Sequence, residues 1–134
     1  MYECGVKRRF RAKHALVGDF GNESKLHFHD YRLEISVKGR SLDKDGFLFN
    51  LADLEEKSDE IVRSLLSQPS LNQVPGLGGK NPTAENLAAH ILETIAQKID
   101  LRPLDSLTVT IWESESAWAS CTSSVEKRRS NTRE

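Results

Sequence analysis

The stretch from Leu26 to Lys38 alternates with little interruption. Its odd positions are His27, His29, Tyr31, Leu33, Ile35 and Val37, and its even positions beyond Phe28 are Asp30, Arg32, Glu34, Ser36 and Lys38. Successive side chains of a strand point to opposite faces, so this pattern predicts a long strand over residues ~26–38 with one apolar and one charged face. The apolar face must be covered by other elements, which demands a layered fold. His27 and His29 lie on that same face, because residues i and i+2 of a strand point the same way. An earlier, weaker alternation over residues ~5–14 ends in Phe10-Arg11-Ala12-Lys13-His14. If the two strands are neighbours, the three imidazoles converge, and three neutral imidazoles with an open fourth position form a donor set for catalytic zinc. The spacing alone leaves the other reading open, a chance His-x-His with an unrelated His14. No Cys-x-x-Cys or His-Glu-x-x-His pattern accompanies them.

The remainder alternates between loops and two helical patterns. Gly18–Lys25 reads as a polar loop and Gly39–Gly46 as a turn. Leu51, Leu54, Ile61 and Leu65 recur at helical spacing over ~51–66, with Asp53, Glu55 and Glu56 early, where the helix dipole favours acids. Residues 67–81 contain two prolines and three glycines and read as a long loop of the kind that is often functional. A second helix is predicted over ~83–98, opened by Asn81-Pro82-Thr83 with Asn81 or Thr83 as cap, and with Leu87, Ala88, Ile91, Leu92 and Ile95 as its apolar stripe. Two strands follow, ~106–113 and ~117–122, and a polar tail, Ser123–Glu134, that is expected to fray. The order β-β-α-α-β-β predicts an α+β fold: one domain over residues 1–122 with an antiparallel four-stranded sheet covered on one face by two helices. Such a sheet has two open edges, so a homo-oligomer is expected.

Composition excludes more than it suggests. With 37% hydrophobic residues, 29% charged residues and a net charge of −1, the chain carries no global field that would favour nucleic acid or an anionic membrane. Its apolar runs are too short for a transmembrane helix, and no apolar block follows the early basic residues as in a signal peptide. The two cysteines, Cys4 and Cys121, are read as reduced, which predicts a cytoplasmic protein.

Four motifs narrow the reading further. Phe10-x-Ala12-x-His14, Leu26-His27-x-His29-x-Tyr31, Asn81-Pro82-Thr83-Ala84-Glu85-Asn86-Leu87-Ala88 and a late-strand Glu113 occur in that order. Together, over roughly residues 5–122, they resemble the pyruvoyl-tetrahydropterin synthase and carboxy-tetrahydropterin synthase family. The resemblance implies the tunnelling fold, protomers whose sheets join into barrels, usually as hexamers, Zn2+ held by His14, His27 and His29, and a pterin anchored by Glu113. Thr83 would touch the pterin pocket; its other reading is a plain helix cap.

Departures from the family pattern matter as much. Family members carry a catalytic Cys four residues before the first His of their His-Gly-His motif; that position here is Glu23. This replacement resembles the type III variant, which cuts the side chain of 7,8-dihydroneopterin triphosphate to give 6-hydroxymethyl-7,8-dihydropterin. Phe28 stands where Gly is usual, which is expected to change what packs behind the metal. An Asp-His dyad usual before Leu71-Asn72 is replaced by Ser67-Gln68, and Asn50 stands where Asp commonly opens the first helix. Glu23 is therefore the expected acid/base, with His90 the competing proton carrier. Lys25, Lys80, Arg40 and Arg63 are candidate contacts for a triphosphate. The expected activity is that of a zinc-dependent pterin side-chain lyase. The alternatives are a 6-carboxytetrahydropterin or 6-pyruvoyl-tetrahydropterin synthase, a non-catalytic pterin-binding paralogue, and an enzyme acting on a different pterin.

Overall fold

A computed structural model describes residues 1–77 and 79–124. The strands are β1 (Tyr2–His14), β2 (His27–Gly39), β3 (Ser106–Trp112) and β4 (Trp118–Ser124), and the helices are α1 (Leu51–Leu66) and α2 (Ala84–Ala96). The strands form one antiparallel sheet in the order β1-β2-β3-β4. The α+β arrangement expected from the alternation is the one observed.

The inward face of the sheet carries Val6, Phe10, Leu33, Ile35, Val37, Leu107, Val109 and Ile111, all buried. These pack with Leu54, Ile61 and Leu65 of α1 and Leu87, Ile91 and Ile95 of α2 in one continuous core. α1 lies against β1, whereas α2 lies against β3 and β4. Asn50 caps α1 by accepting from the Asp53 N–H, and Thr83 caps α2 by accepting from the Asn86 N–H. The cap of α2 is therefore Thr83 and not Asn81.

Several boundaries depart from the sequence pattern. β1 begins at Tyr2 rather than near residue 5, because Tyr2–Gly5 continue the ladder opposite Ser36–Gly39. Gly5 hides this pairing in the sequence, since it contributes no side chain to the alternation; a Cβ there would collide with the Ile35 carbonyl. α2 holds the whole apolar stripe but is shorter than the expected ~83–98 and ends at Ala96. β4 continues through Ser124, where Ser106 and Ser124 are partners. The rest of the expected tail, 125–134, lies outside the described residues. The stretch 67–81 is less free than its prolines and glycines suggest: a 3-10 turn, Leu71–Gln73, sits in it, and Leu71, Val74 and Leu77 are all core residues.

Register decides the functional geometry. His14 lies directly opposite His27, and Ala12 opposite His29, at the end of the β1–β2 ladder. Three imidazoles on one face at the end of one strand pair follow from this pairing and the two-residue repeat.

Candidate metal centre and cleft

His14, His27 and His29 converge, as the alternation predicted. His14 Nε2 is 3.1 Å from His27 Nε2, which is 3.1 Å from His29 Nε2. The fourth member of the group is Glu23, from the 3-10 turn Gly21–Ser24. Its Oε2 is 3.1 Å from His27 Nε2 and 3.9 Å from the Nε2 atoms of His14 and His29.

The hydrogen bonds on the far sides of the rings show what this cluster could hold. His14 Nδ1 is 2.8 Å from the Pro82 carbonyl oxygen, and His27 Nδ1 is 2.6 Å from that of Lys25. A carbonyl can only accept, so in both rings Nδ1 carries the proton and, in the neutral imidazole, Nε2 is a bare lone pair. Two lone pairs at 3.1 Å with no proton between them repel. A cation at their common point turns that repulsion into coordination. Tetrahedral zinc with Zn–N bonds of about 2.0–2.1 Å has neighbouring nitrogens about 3.3 Å apart, close to what is seen. Carbonyls that fix the tautomer of metal-binding imidazoles are the usual supporting contacts of zinc sites. The residues therefore fit the metal.

Burial favours the neutral form of the ring that this requires. His14 is buried, and desolvation holds its pKa below the ordinary histidine value, against the Pro82 hydrogen bond, which acts upward; the neighbouring imidazoles add to the lowering. The Tyr31 hydroxyl lies 3.3 Å from His14 Nδ1. Burial first, and then the charges of Glu113 and Glu23, keep that phenol protonated far above the ordinary range.

Beside the cluster opens a cleft of about 930 Å³ whose lining includes His29, Tyr31, Trp112 and Glu113, and the cations Arg9, Arg11 and Arg32. Glu113 directly follows β3, where its N–H donates to the Ala117 carbonyl and closes the β3–β4 hairpin. The cleft thus joins the proposed anchor to a proposed metal ligand. The other expected residues lie elsewhere. Thr83 spends its hydroxyl on capping α2 and does not line the cleft. His90 is not a member of the four-residue cluster; its ring packs beneath Gly76, where a Cβ would lie 2.7 Å from His90 Cε1, and burial lowers its pKa. Ser67 donates its hydroxyl to the Ser64 carbonyl at the end of α1.

Phe28 does not pack behind the metal site. It faces the opposite side of β2, 52% exposed, with the Arg11 guanidinium 4.6 Å and the Lys13 ammonium 5.5 Å from its ring centre. Arg9, Arg11 and Arg32 escaped attention as candidate ligand contacts. Their signal was present, since they occupy the outward positions of the same strands whose inward positions carry the histidines.

The model of the family described as 6-pyruvoyl tetrahydropterin synthase matches residues 3–124. This chain belongs to that family. Among its relatives, the 6-pyruvoyl tetrahydrobiopterin synthase of Poecilia reticulata is 31% identical over 74 residues, 54% of this chain and 50% of that protein. The chain thus aligns with half the length of that relative. The synthase of the same name from Dictyostelium discoideum is 32% identical over 97 residues, 64% of this chain and 72% of the other. The 6-carboxy-5,6,7,8-tetrahydropterin synthase of Rickettsia felis is 28% identical over 115 residues, 74% of this chain and 83% of that one. The crystal structure of Plasmodium vivax 6-pyruvoyl tetrahydropterin synthase shares the fold, with a TM-score of 0.75 at 18% identity over 92% of this chain and 98% of that chain. Two further structures of the P. vivax protein are catalytic-residue mutants in which a glutamate is replaced by alanine or by cysteine.

Proposed function

We propose that this protein is a zinc-dependent lyase that shortens the side chain of 7,8-dihydroneopterin triphosphate or a closely related reduced pterin to give 6-hydroxymethyl-7,8-dihydropterin. The observation that carries the reading is the convergence of three Nε2 atoms on one point with a carboxylate, rather than a thiol, beside them. The P. vivax relative, whose catalytic residue is a glutamate by the description of its mutants, supports a carboxylate in this role.

Bound zinc, held by His14, His27 and His29, would polarise the side-chain oxygens of the substrate. Glu23 then takes the proton of the outer hydroxyl. The bond between the two hydroxyl-bearing carbons breaks, the outer carbon becomes an aldehyde, and the electron pair passes into the conjugated ring. Glu23 returns the proton to the carbon that stays on the ring, so the proton count balances. We assign this transfer to Glu23 rather than His90, because Glu23 is the group beside the cluster. Glu113 accepts two hydrogen bonds from the amino-pyrimidinone edge of the pterin. Arg9, Arg11 and Arg32 line the cleft, whereas Lys25, Lys80, Arg40 and Arg63 do not.

The deciding experiment is incubation of the zinc-loaded protein with 7,8-dihydroneopterin triphosphate and identification of products by mass. A hydroxymethyl product is expected. A carboxy- or pyruvoyl-pterin would replace this reading with the chemistry for which the relatives are named, and tight binding without turnover would make the protein a non-catalytic paralogue. The proposal includes a homo-oligomer, because β1 and β4 leave open edges in the single protomer; that it is a hexamer is what the family resemblance implies. A monomeric mass by light scattering at micromolar concentration would contradict it.

A further inference from the structure

Ala15, Leu16 and Val17 follow His14 and belong to no regular element, yet the backbone of each is engaged. Asn72 offers its side-chain amide to Ala15: Oδ1 accepts from the Ala15 N–H at 3.0 Å and Nδ2 donates to the Ala15 carbonyl at 2.8 Å. Asn81 does the same for Val17, at 2.6 Å and 3.2 Å. Between them, the Leu16 N–H donates to the Glu23 carbonyl at 2.8 Å. Alternate residues of an extended segment present their polar groups to opposite sides. Two asparagines thus replace a neighbouring strand on one side of the segment, and Glu23 occupies the other.

Packing does little to hold this strap: Val17 is 75% exposed, and Ala15 and Leu16 are only half-buried. The same stretch of chain that supplies Asn81 also braces His14, through the Pro82 carbonyl on Nδ1. Asn81 is itself anchored, since its carbonyl accepts from Asn86 Nδ2 at 2.8 Å in the first turn of α2. One clamp would leave the strap free to pivot. Two clamps, at i and i+2, fix both its position and its direction.

We propose that Asn72 and Asn81 are positioning residues of the metal centre. By clamping residues 15–17 they keep His14 Nε2 and the Glu23 carboxylate aimed at one point. The inference rests on the functional reading above, and it gives the Asn81-Pro82-Thr83 motif a role in bracing the metal ligands.

The test compares the parent with Asn72→Ala, Asn81→Ala and the double variant. Ser58→Ala serves as control, since Ser58 is buried on α1, donates to the Leu54 carbonyl, and is remote in sequence from the strap and its clamps. Zinc affinity is read by chelator competition, site geometry by the visible absorption of the cobalt-loaded protein, and the clamp itself by amide exchange at Ala15 and Val17 in metal-free protein. Each single variant should weaken zinc binding about tenfold and the double variant a hundredfold or more, in the range seen when the groups that orient metal ligands are lost. The cobalt spectrum should change and both amides should exchange faster. The control should lower the melting temperature and leave affinity and spectrum unchanged. Asparagine variants that behave like the control at the metal, or that leave both amides protected, would overturn the proposal. If the alanine variants fail to fold, Asn72→Asp and Asn81→Asp, which keep the acceptor and lose the donor, are measured in the same way. A parent that takes up neither zinc nor cobalt would defeat the functional reading, and amide exchange would then decide the clamp alone.

Discussion

The two ends of the β1–β2 ladder carry the same alternation to opposite purposes. At one end the inward positions are Val6, Leu33, Ile35 and Val37, sealed in the core. At the other they are His14, His27 and His29. The first end is held by what covers it. The second is held by hydrogen bonds arriving from other segments, through the Pro82 and Lys25 carbonyls. A single strand pair can therefore act as scaffold at one end and donor set at the other, provided the polar end has its own supports.

The sharpest way to break this comparison is to truncate one residue at each end. His27→Ala should abolish measurable zinc binding at stoichiometric metal and barely alter the stability of the metal-free protein. Ile35→Ala should cost about 2–5 kcal/mol of stability while leaving the metal affinity of the folded fraction intact. Metal analysis and denaturant unfolding on both variants read the outcome, and a crossed result would mean that the two ends are not separable. Next in size, Glu23→Gln keeps the shape beside the histidines and removes the base. Turnover should fall about a hundredfold with the zinc content unchanged. Glu113→Ala should weaken pterin binding roughly ten- to a thousandfold in calorimetry without touching the metal.

The smallest effect concerns His90, a half-buried residue of α2 whose ring packs beneath Gly76. Burial depresses its folded-state pKa below the ordinary value of 6.5, so the unfolded chain binds its proton more readily. Its contribution to stability is whole above pH 6.5 and is lost as pH falls through the depressed value. Thermal melts of the metal-free parent should therefore decline in acid more steeply than those of His90→Leu. Parallel curves would show that this ring does not titrate with unfolding.

The sheet and both helices were legible in the sequence because their signals are local. Alternation in Leu26–Lys38 and the apolar stripes of Leu51–Leu66 and Leu87–Ile95 need only neighbouring residues. The three histidines were legible for the same reason, once register was assumed. What escaped were groups whose partners are far along the chain. Asn72 meets Ala15 across 57 positions and Asn81 meets Val17 across 64. An asparagine in a loop reads as turn chemistry until the segment it grips is known. Gly5 concealed the start of β1 because a residue without a side chain adds nothing to a pattern of side chains. Phe28 misled in the opposite way: it interrupts His-x-His in the sequence and stands on the other side of the sheet in space.

The placement of Phe28 has a consequence for how such a protein can change. Its ring, between Arg11 and Lys13, borders the cleft without sharing a face with the histidines. Selection or an engineer can therefore recut the entrance, exchanging the aromatic for a smaller or differently charged residue, and so alter which side chain is admitted. The chemistry one position away on either side is inherited unchanged.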